Sequence, residues 1–186
     1  SAGSACLHPP SAFHAAPERA TMRDVKQLYE RHSAAVPPDR LDTTLLAAIE
    51  AHAEQHQLGD VLAKVTAACE THSVRRHRNG LIATITGTGD PDREHRTLAL
   101  LTPHHLVIAV TGERRGIHVR SARLETITVR TDVVGTIDSG ISLAARWSGA
   151  TADQGNAEFY LGLGDDPIGH TFTTRLLAAV TSAKAH

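Results

Sequence analysis

The spacing of apolar positions changes near Thr71, and this change divides the chain into two parts. Before it, apolar side chains recur at helical spacing; after it, short apolar or β-branched runs alternate with turn residues. These runs are separated by Gly, Asp and Pro and cover 81–86, 97–101, 106–110, 117–120, 124–130, 141–146 and 158–163. Each run is typical of a short strand, so the sequence predicts seven β-strands.

One long amphipathic segment follows the last predicted strand. Asp166 is placed to cap a helix, and Pro167 suits its first turn. The apolar residues that recur every four positions are Ile168, Phe172, Leu176 and Val180. We therefore predict a C-terminal helix that covers one open end of a barrel formed by the strands.

The part before Thr71 predicts a helical unit over residues 22–73. Met22, Val25 and Tyr29 have the spacing of a first helix near 22–34. Pro37-Pro38 would end it, Asp42 can cap a second helix, and a third would start at Gly59-Asp60. The second stripe consists of Leu45, Leu46, Ile49 and Ala53, and the third of Val61, Leu62, Val65, Ala68 and Cys69. Because these stripes are narrow and rich in Ala, we expect them to pack on the barrel or on a second subunit.

Thr102 begins the turn that precedes Leu106, and Leu124 and Ile127 lie on a later predicted strand. Together with the order of strands and terminal helix, these four positions resemble a bacterial pleckstrin-homology-like (PH-like) domain over residues 76–186. His105 stands where that family often has arginine. The resemblance implies an α+β fold in which an N-terminal helical unit precedes a seven-stranded antiparallel PH-like β-barrel capped by a C-terminal α-helix. Other small barrels and an α+β sheet remain alternatives.

The 186-residue chain is long enough to bury a core without disulfides or metals. Its two cysteines, Cys6 and Cys69, form no CxxC pair, and Cys69 falls on an apolar stripe. No apolar run approaches the roughly 18 residues that span a bilayer. We expect a cytoplasmic protein in which residues 1–21 are a disordered or vector-derived extension outside the fold.

Positive charge is concentrated in the middle of the chain. Residues 74–130 hold 10 basic and 5 acidic side chains, although the whole chain has a formal net charge of −1. Arginines gathered at one barrel rim would bind phosphates, acidic lipids or a partner's carboxylates. The candidate anion-binding residues are Arg75, Arg76, Arg78, Arg114, Arg115, Arg120 and Arg123, with Arg130 on a neighbouring strand. The alternative is a scattered, solvated set paired with Glu113 and Glu125.

Residues that could carry catalysis or bind metal are better explained as structural. His52 and His56 are four positions apart and would lie on one helix face. A zinc-protease helix needs its acidic residue directly after the first histidine, but here the acid is Glu54, two positions after His52. We therefore expect both histidines to be exposed on the helix. His104-His105 and Ser139 are typical of turns, and adjacent strand residues cannot chelate one ion. The glycine-rich stretches 87–90 and 162–166 precede acidic residues, which would repel phosphate.

These observations favour a non-enzymatic interaction module that acts through protein–protein contacts or homo-oligomerisation, without a cofactor or metal. The second hypothesis is peripheral binding of acidic lipid or phosphate ligands through the arginines, with an acidic membrane surface as partner. However, the loop between the first two predicted strands carries Asp90, Asp92 and Glu94 against Arg93 and Arg96, which weakens a lipid role. Aromatic residues make up only 3% of the chain, which argues against nucleic-acid binding.

Overall fold

A computed structural model of the chain describes residues 28–76, 92–132 and 138–186. Its strands are β1 (Tyr29–Ala35), β2 (Ala67–Arg75), β3 (Glu94–Leu101), β4 (His105–Gly112), β5 (Gly116–Arg123), β6 (Thr128–Arg130), β7 (Gly140–Ala145) and β8 (Ala157–Gly162). Its helices are α1 (Thr43–Gln55) and α2 (Pro167–Lys184). Short 3-10 turns occupy Pro38–Arg40, Leu62–Lys64 and Leu124–Thr126.

The strands form two antiparallel sheets. The larger sheet has the order β1-β2-β3-β4-β5, and the smaller has the order β6-β7-β8. Every neighbouring pair in the larger sheet is consecutive in the chain, so β1 and β5 are its two edge strands. The strand order is that of an antiparallel meander, and helix α1 lies in the connection from β1 to β2.

Helix α1 covers the outer face of the larger sheet. Asp42 caps it by accepting hydrogen bonds from the backbone N–H groups of Thr44 and Leu45. Leu45 and Ile49 are buried on the sheet. The apolar layer between helix and sheet consists of Leu41, Leu45, Ile49, Ala53, Val61, Leu98, Leu100, Val107 and Ala109.

The second core lies between the two sheets and helix α2. Asp166 caps α2 through the N–H of Gly169, and Phe172, Leu176 and Val180 are buried. Ile168 is 37% exposed, so the predicted apolar stripe of this helix begins one turn later than expected. The strand residues of this core include Cys69, Ala99, Leu101, Leu106, Ile108, Ile141, Leu143 and Leu161.

Side chains join β1 to the smaller sheet. The carboxylate of Asp166 accepts the Ser33 N–H at 2.9 Å, and Gly164 donates its N–H to the Ser33 hydroxyl at 2.8 Å. The carboxylate of Asp138 accepts the N–H groups of Leu28 and Tyr29. These bonds satisfy the N–H groups of Leu28, Tyr29 and Ser33 at the outer edge of β1, and among the described residues no ladder of backbone pairs joins the two sheets.

The predicted seven-stranded barrel is wrong: the described residues form one five-stranded and one three-stranded sheet rather than a closed cylinder. The predicted N-terminal helical unit is wrong as well. Residues 29–35 form β1, residues 67–75 form β2, and both belong to the sheet that contains β3 to β5. Of the three helices predicted for this unit, only the second is present among the described residues, as α1. Residues 22–27 and the predicted strand 81–86 lie outside the described residues.

The missed strand β2 has an inner face made of small polar side chains. Cys69, Thr71 and Ser73 are buried at alternate positions. Thr71 and Ser73 are polar, so the apolar alternation that marks a strand is absent here. A hydrogen bond between the Ser33 and Thr71 hydroxyls, and one that Arg31 Nε donates to the Ser73 hydroxyl, satisfy these buried groups.

The length and hydrophobicity of the two helices bear on whether either could span a membrane. Neither described helix has the length and apolar run required to cross a bilayer.

Candidate functional site: the free edge of strand β5

The structure spreads the candidate arginines over the whole length of the larger sheet. Arg75 ends β2, and Arg114 and Arg115 lie in the turn between β4 and β5, so these three are at the same end. Arg123 pairs with His105 at the other end, where its Nε lies 2.6 Å from Oε1 of Glu125. Arg76 follows β2, Arg120 lies in the middle of β5, and Arg78 is outside the described residues.

Arg115 is engaged by a buried carboxylate. Its Nε donates to Oδ2 of Asp92 at 3.0 Å, and the Asp92 side chain is only 3% exposed. Asp92 also accepts the backbone N–H groups of Arg114 and Arg115. Burial alone would raise the pKa of Asp92, but these hydrogen bonds outweigh it, and the net result is a lowered pKa. Arg115 therefore acts as a structural partner that fixes the β4–β5 turn.

Arg120 is held against aromatic rings. Its guanidinium carbon lies 4.2 Å from the ring centroid of Phe159 and 5.8 Å from that of Trp147. The two rings contact each other edge to face at 5.7 Å, and the Trp147 indole donates to the carbonyl of Ala157. These contacts orient a planar cation at the boundary between the two sheets.

The guanidinium of Arg120 makes no hydrogen bond or ion pair within the described parts of the chain. The residue is half-buried, and this desolvation lowers the pKa of its guanidinium below the ordinary value. A planar group with five N–H donors is thus oriented but unpaired. Such a group is suited to a carboxylate or phosphate brought by another molecule.

Backbone groups of β5 next to Arg120 are also unpaired. The N–H of Ser121 donates to the Ser148 hydroxyl, and the Ser121 carbonyl accepts the Ser148 N–H, so both Ser121 groups point away from β4. In an antiparallel ladder, groups two residues apart point the same way. The N–H and C=O of Ile117 and Val119 therefore face the open edge, and neither residue has a partner there among the described residues.

The open edge has a defined beginning and end. It begins after the β4–β5 turn, at Gly116, where the backbone φ is +67°, a conformation that favours glycine. It ends at Ser121, where the segment after β7 covers the strand. Arg120 stands beside this end. We define the free β5 edge as residues 116–120.

A buried histidine supports the same strand from the outer face. Nε2 of His52 on α1 lies 2.9 Å from the hydroxyl of Ser121, and His52 is 8% exposed. Burial lowers the pKa of His52, and neighbouring His56, with ring centroids 4.4 Å apart, lowers it further. The interpretation of both as exposed helix histidines is therefore wrong for His52.

The remaining candidates have structural surroundings. His104 and His105 lie at the β3–β4 turn, where Thr102 bonds the His105 backbone in both directions. Asp166 caps α2, and Cys69 is a free, buried thiol whose pKa is raised by burial. Within the described ranges, no three His, Cys, Asp or Glu side chains are placed to hold one metal ion. The stretch 87–90 and Cys6 lie outside these ranges.

Comparisons with known proteins give no relative for this chain. No family model, no curated protein and no solved structure matches it. The resemblance to PH-like domains therefore stays a prediction.

Sequence reasoning identified Arg120 but missed what distinguishes it from the other arginines. Phe159 and Trp147 are two of only six Phe, Trp and Tyr residues, and their contact with Arg120 joins positions far apart in the chain. The free edge also depends on which strand lies at the end of the sheet. The spacing of apolar residues in the sequence does not give the order of strands in a sheet. The scarcity of aromatic residues was the one signal that could have drawn attention to them.

Proposed function

We propose that this protein is a non-enzymatic interaction module that binds an extended, acidic segment of a protein partner along the free β5 edge. The observation that carries the proposal is the juxtaposition of unpaired backbone groups at Ile117 and Val119 with the unpaired guanidinium of Arg120. Unpaired backbone groups at a strand edge are complementary to an extended peptide, and an oriented cation is complementary to a carboxylate. An extended peptide with an acidic side chain matches both.

The backbone groups supply the general part of recognition. An extended peptide can add a strand to an exposed sheet edge, and its main chain then replaces the water that solvates the edge. On the free β5 edge, Ile117 and Val119 together offer two N–H donors and two C=O acceptors. This number suits a short peptide and predicts modest affinity from the backbone alone.

Arg120 supplies the selective part. A peptide carboxylate that meets its guanidinium would gain a charge-assisted, bidentate pair at a half-buried position, where solvent screening is weaker than at the surface. Strand β5 itself carries His118, Arg120 and Arg123 and no acidic residue. Pairing of β5 with its own copy would bring cations together, so charge favours an acidic partner over self-association through this edge.

Peripheral binding of phosphate or acidic lipid remains the alternative proposal. It has weaker support, because Arg115 is bound to Asp92, Arg123 is paired with Glu125, and the two lie at opposite ends of the sheet. Arg114 is an exposed arginine at the turn beside the edge. The proposal also includes self-association through another surface of the protein and a cytoplasmic location.

The experiment is a selection of short random peptides displayed on phage, followed by affinity measurement with synthetic copies. We expect the selected sequences to combine β-branched residues with an Asp or Glu, and the Arg120→Gln variant to bind them at least about tenfold more weakly. Arg123→Gln is the matched control, because it removes an arginine of the same strand that is already paired. Selected peptides without acids, or equal loss in both variants, would overturn the proposal.

Inorganic phosphate and vesicles containing acidic phospholipid are tested in parallel. Binding of vesicles that is lost equally on Arg114→Gln and Arg120→Gln, with no peptide selected, would favour the lipid alternative. Circular dichroism and unfolding midpoints of each variant show whether the fold is intact, so that loss of binding is not confused with loss of structure.

A further inference from the structure

A groove lies at the opposite edge of the larger sheet from the free β5 edge. It has a volume of about 460 Å³ and is bounded by the end of β1, the start of β2 and the first turns of α2. Its walls include Val36, Pro37, Val65, Ala68, Ile168 and Phe172. This volume is within the range of about 300–1,000 Å³ that is usual for small-molecule sites.

The described lining of the groove is mostly apolar. Among these residues Arg175 is the one with a charge, and Thr66 and Thr171 carry hydroxyl groups. Arg175 is exposed, and within the described residues its side chain makes one long hydrogen bond, from Nη1 to the carbonyl of Thr66 at 3.5 Å. No described acid pairs with it. The charge of the groove is therefore unbalanced and positive.

The apolar wall is left open on the α2 side. Ile168 is 37% exposed, although it belongs to the apolar stripe of a helix whose next members, Phe172 and Leu176, are 3% and 0% exposed. Cys69 lies in the lining as a neutral thiol, because burial raises its pKa. The lining therefore offers apolar surface along its length and a guanidinium at its rim.

We propose that this groove binds a straight-chain aliphatic carboxylate, that is, a free medium-chain fatty acid. The alkyl chain would lie against the apolar walls, and the carboxylate would pair with Arg175. Charge complementarity selects this ligand: a cationic amphiphile would be repelled, and a neutral one would leave the guanidinium unpaired. The proposal does not depend on the β5 site, since β1 and β5 are opposite edges of the sheet.

Octanoate is the probe, and 1-octanol and octylamine are the neutral and cationic comparisons. In a titration of the full chain followed by NMR, we expect octanoate to shift the methyl signals of Val65, Ala68 and Ile168 with saturation below its micelle concentration. Octanol should bind more weakly than octanoate by about two- to fivefold, and octylamine should bind more weakly than octanol.

Two variants separate charge from shape. Because Arg175 is exposed, Arg175→Gln is expected to lower octanoate affinity by about two- to fivefold and to leave octanol affinity unchanged. Thr171→Trp places a large ring at an exposed position of the lining and should abolish binding of both. Leu177→Trp is its matched control, because Leu177 is exposed on the same helix but outside the groove.

Equal binding of octanoate and octylamine, or octanoate affinity unchanged by Thr171→Trp, would overturn the proposal. Peptide binding at the β5 edge should be unaffected by both groove variants.

Discussion

The guanidinium of Arg120 lies 4.2 Å from the ring centroid of Phe159, although the two residues belong to different sheets. The contact has a structural and a chemical consequence. It joins β5 to β8 across the boundary between the sheets, and it holds five N–H donors in one plane without using them. An arginine fixed in this way loses little side-chain entropy when a carboxylate arrives.

The first prediction concerns this stacking. Phe159→Leu removes the ring but keeps an apolar side chain, so we expect a loss of stability of about 1 kcal/mol and a several-fold loss of affinity for acidic peptides. Urea unfolding and fluorescence anisotropy measure the two effects. Phe159→Tyr retains a ring and should bind like the parent protein. If Phe159→Leu bound peptide with unchanged affinity, the ring would have no role in positioning Arg120.

The second prediction concerns the ion pair that joins β1 to the start of β7. Arg31 Nη1 lies 3.5 Å from Oδ2 of Asp138, with side chains 5% and 13% exposed. Arg31→Met leaves the half-buried Asp138 carboxylate without its cation but with the N–H groups of Leu28 and Tyr29, so we expect a loss of about 2 kcal/mol in unfolding free energy. Chemical denaturation measures this loss.

Arg123→Gln is the matched control for the second prediction. Arg123 and Glu125 are 67% and 42% exposed, so breaking this pair should change stability by less than about 0.5 kcal/mol. Losses of similar size in the two variants would mean that Arg31 is not a buried contact.

The parts of the fold that were predictable are those with conventional local signals. Asp42 and Asp166 are N-cap residues before helical stripes, and both α1 and α2 begin where these residues predict. The strands from β3 to β8 coincide with apolar runs between turns, except that residues 124–126 form a 3-10 turn. In each case the information lies within a few neighbouring residues.

The parts that were not predictable depend on distant contacts. Strand β2 buries Thr71 and Ser73, whose burial is tolerated because β1 supplies Ser33 and Arg31 as hydrogen-bond partners. A closed barrel and two separate sheets share the same strand pattern, since closure depends on whether the last strand pairs with the first. Here Asp138 and Asp166 satisfy N–H groups on the outer edge of β1, so the strand needs no ladder with β8.

The third prediction compares the two helix caps. Asp166 uses one oxygen for the N–H of Gly169 and the other for the N–H of Ser33, whereas Asp42 bonds only the first turn of α1. We therefore expect Asp166→Ala to cost about 2 kcal/mol and Asp42→Ala about 1 kcal/mol. Thermal and urea unfolding provide the measurement. A greater loss for Asp42→Ala would contradict the role of Asp166 in holding β1.

The fourth prediction concerns acid sensitivity at the contact between α1 and β5. His52 faces Ser121 on β5 and His56 on its own helix, and burial together with His56 lowers its pKa below the ordinary 6.5. Below pH 6.5 the unfolded chain therefore binds a proton that the folded chain resists. Stability should fall as the pH decreases from 6.5 toward the lowered pKa of His52, and should level off below it.

Unfolding free energies of the parent protein and of His52→Gln, measured over this pH range, isolate the contribution of His52. The variant should lose less stability on acidification than the parent, whereas His56→Gln should reduce the loss only in part, because burial is the larger cause of the shift. Identical pH dependence in the parent and His52→Gln would show that His52 is not the group responsible.

The most direct test of the proposed binding site is hydrogen exchange at individual backbone amides of β5, measured by NMR with and without a selected acidic peptide. In the free protein, the amides of Ile117 and Val119 should exchange rapidly, whereas those of His118 and Arg120, which bond β4, should be protected. With peptide bound, Ile117 and Val119 should become protected as well. Amides of Ile117 and Val119 that are already protected in the free protein, or that stay unprotected with the peptide bound, would contradict strand addition at this edge.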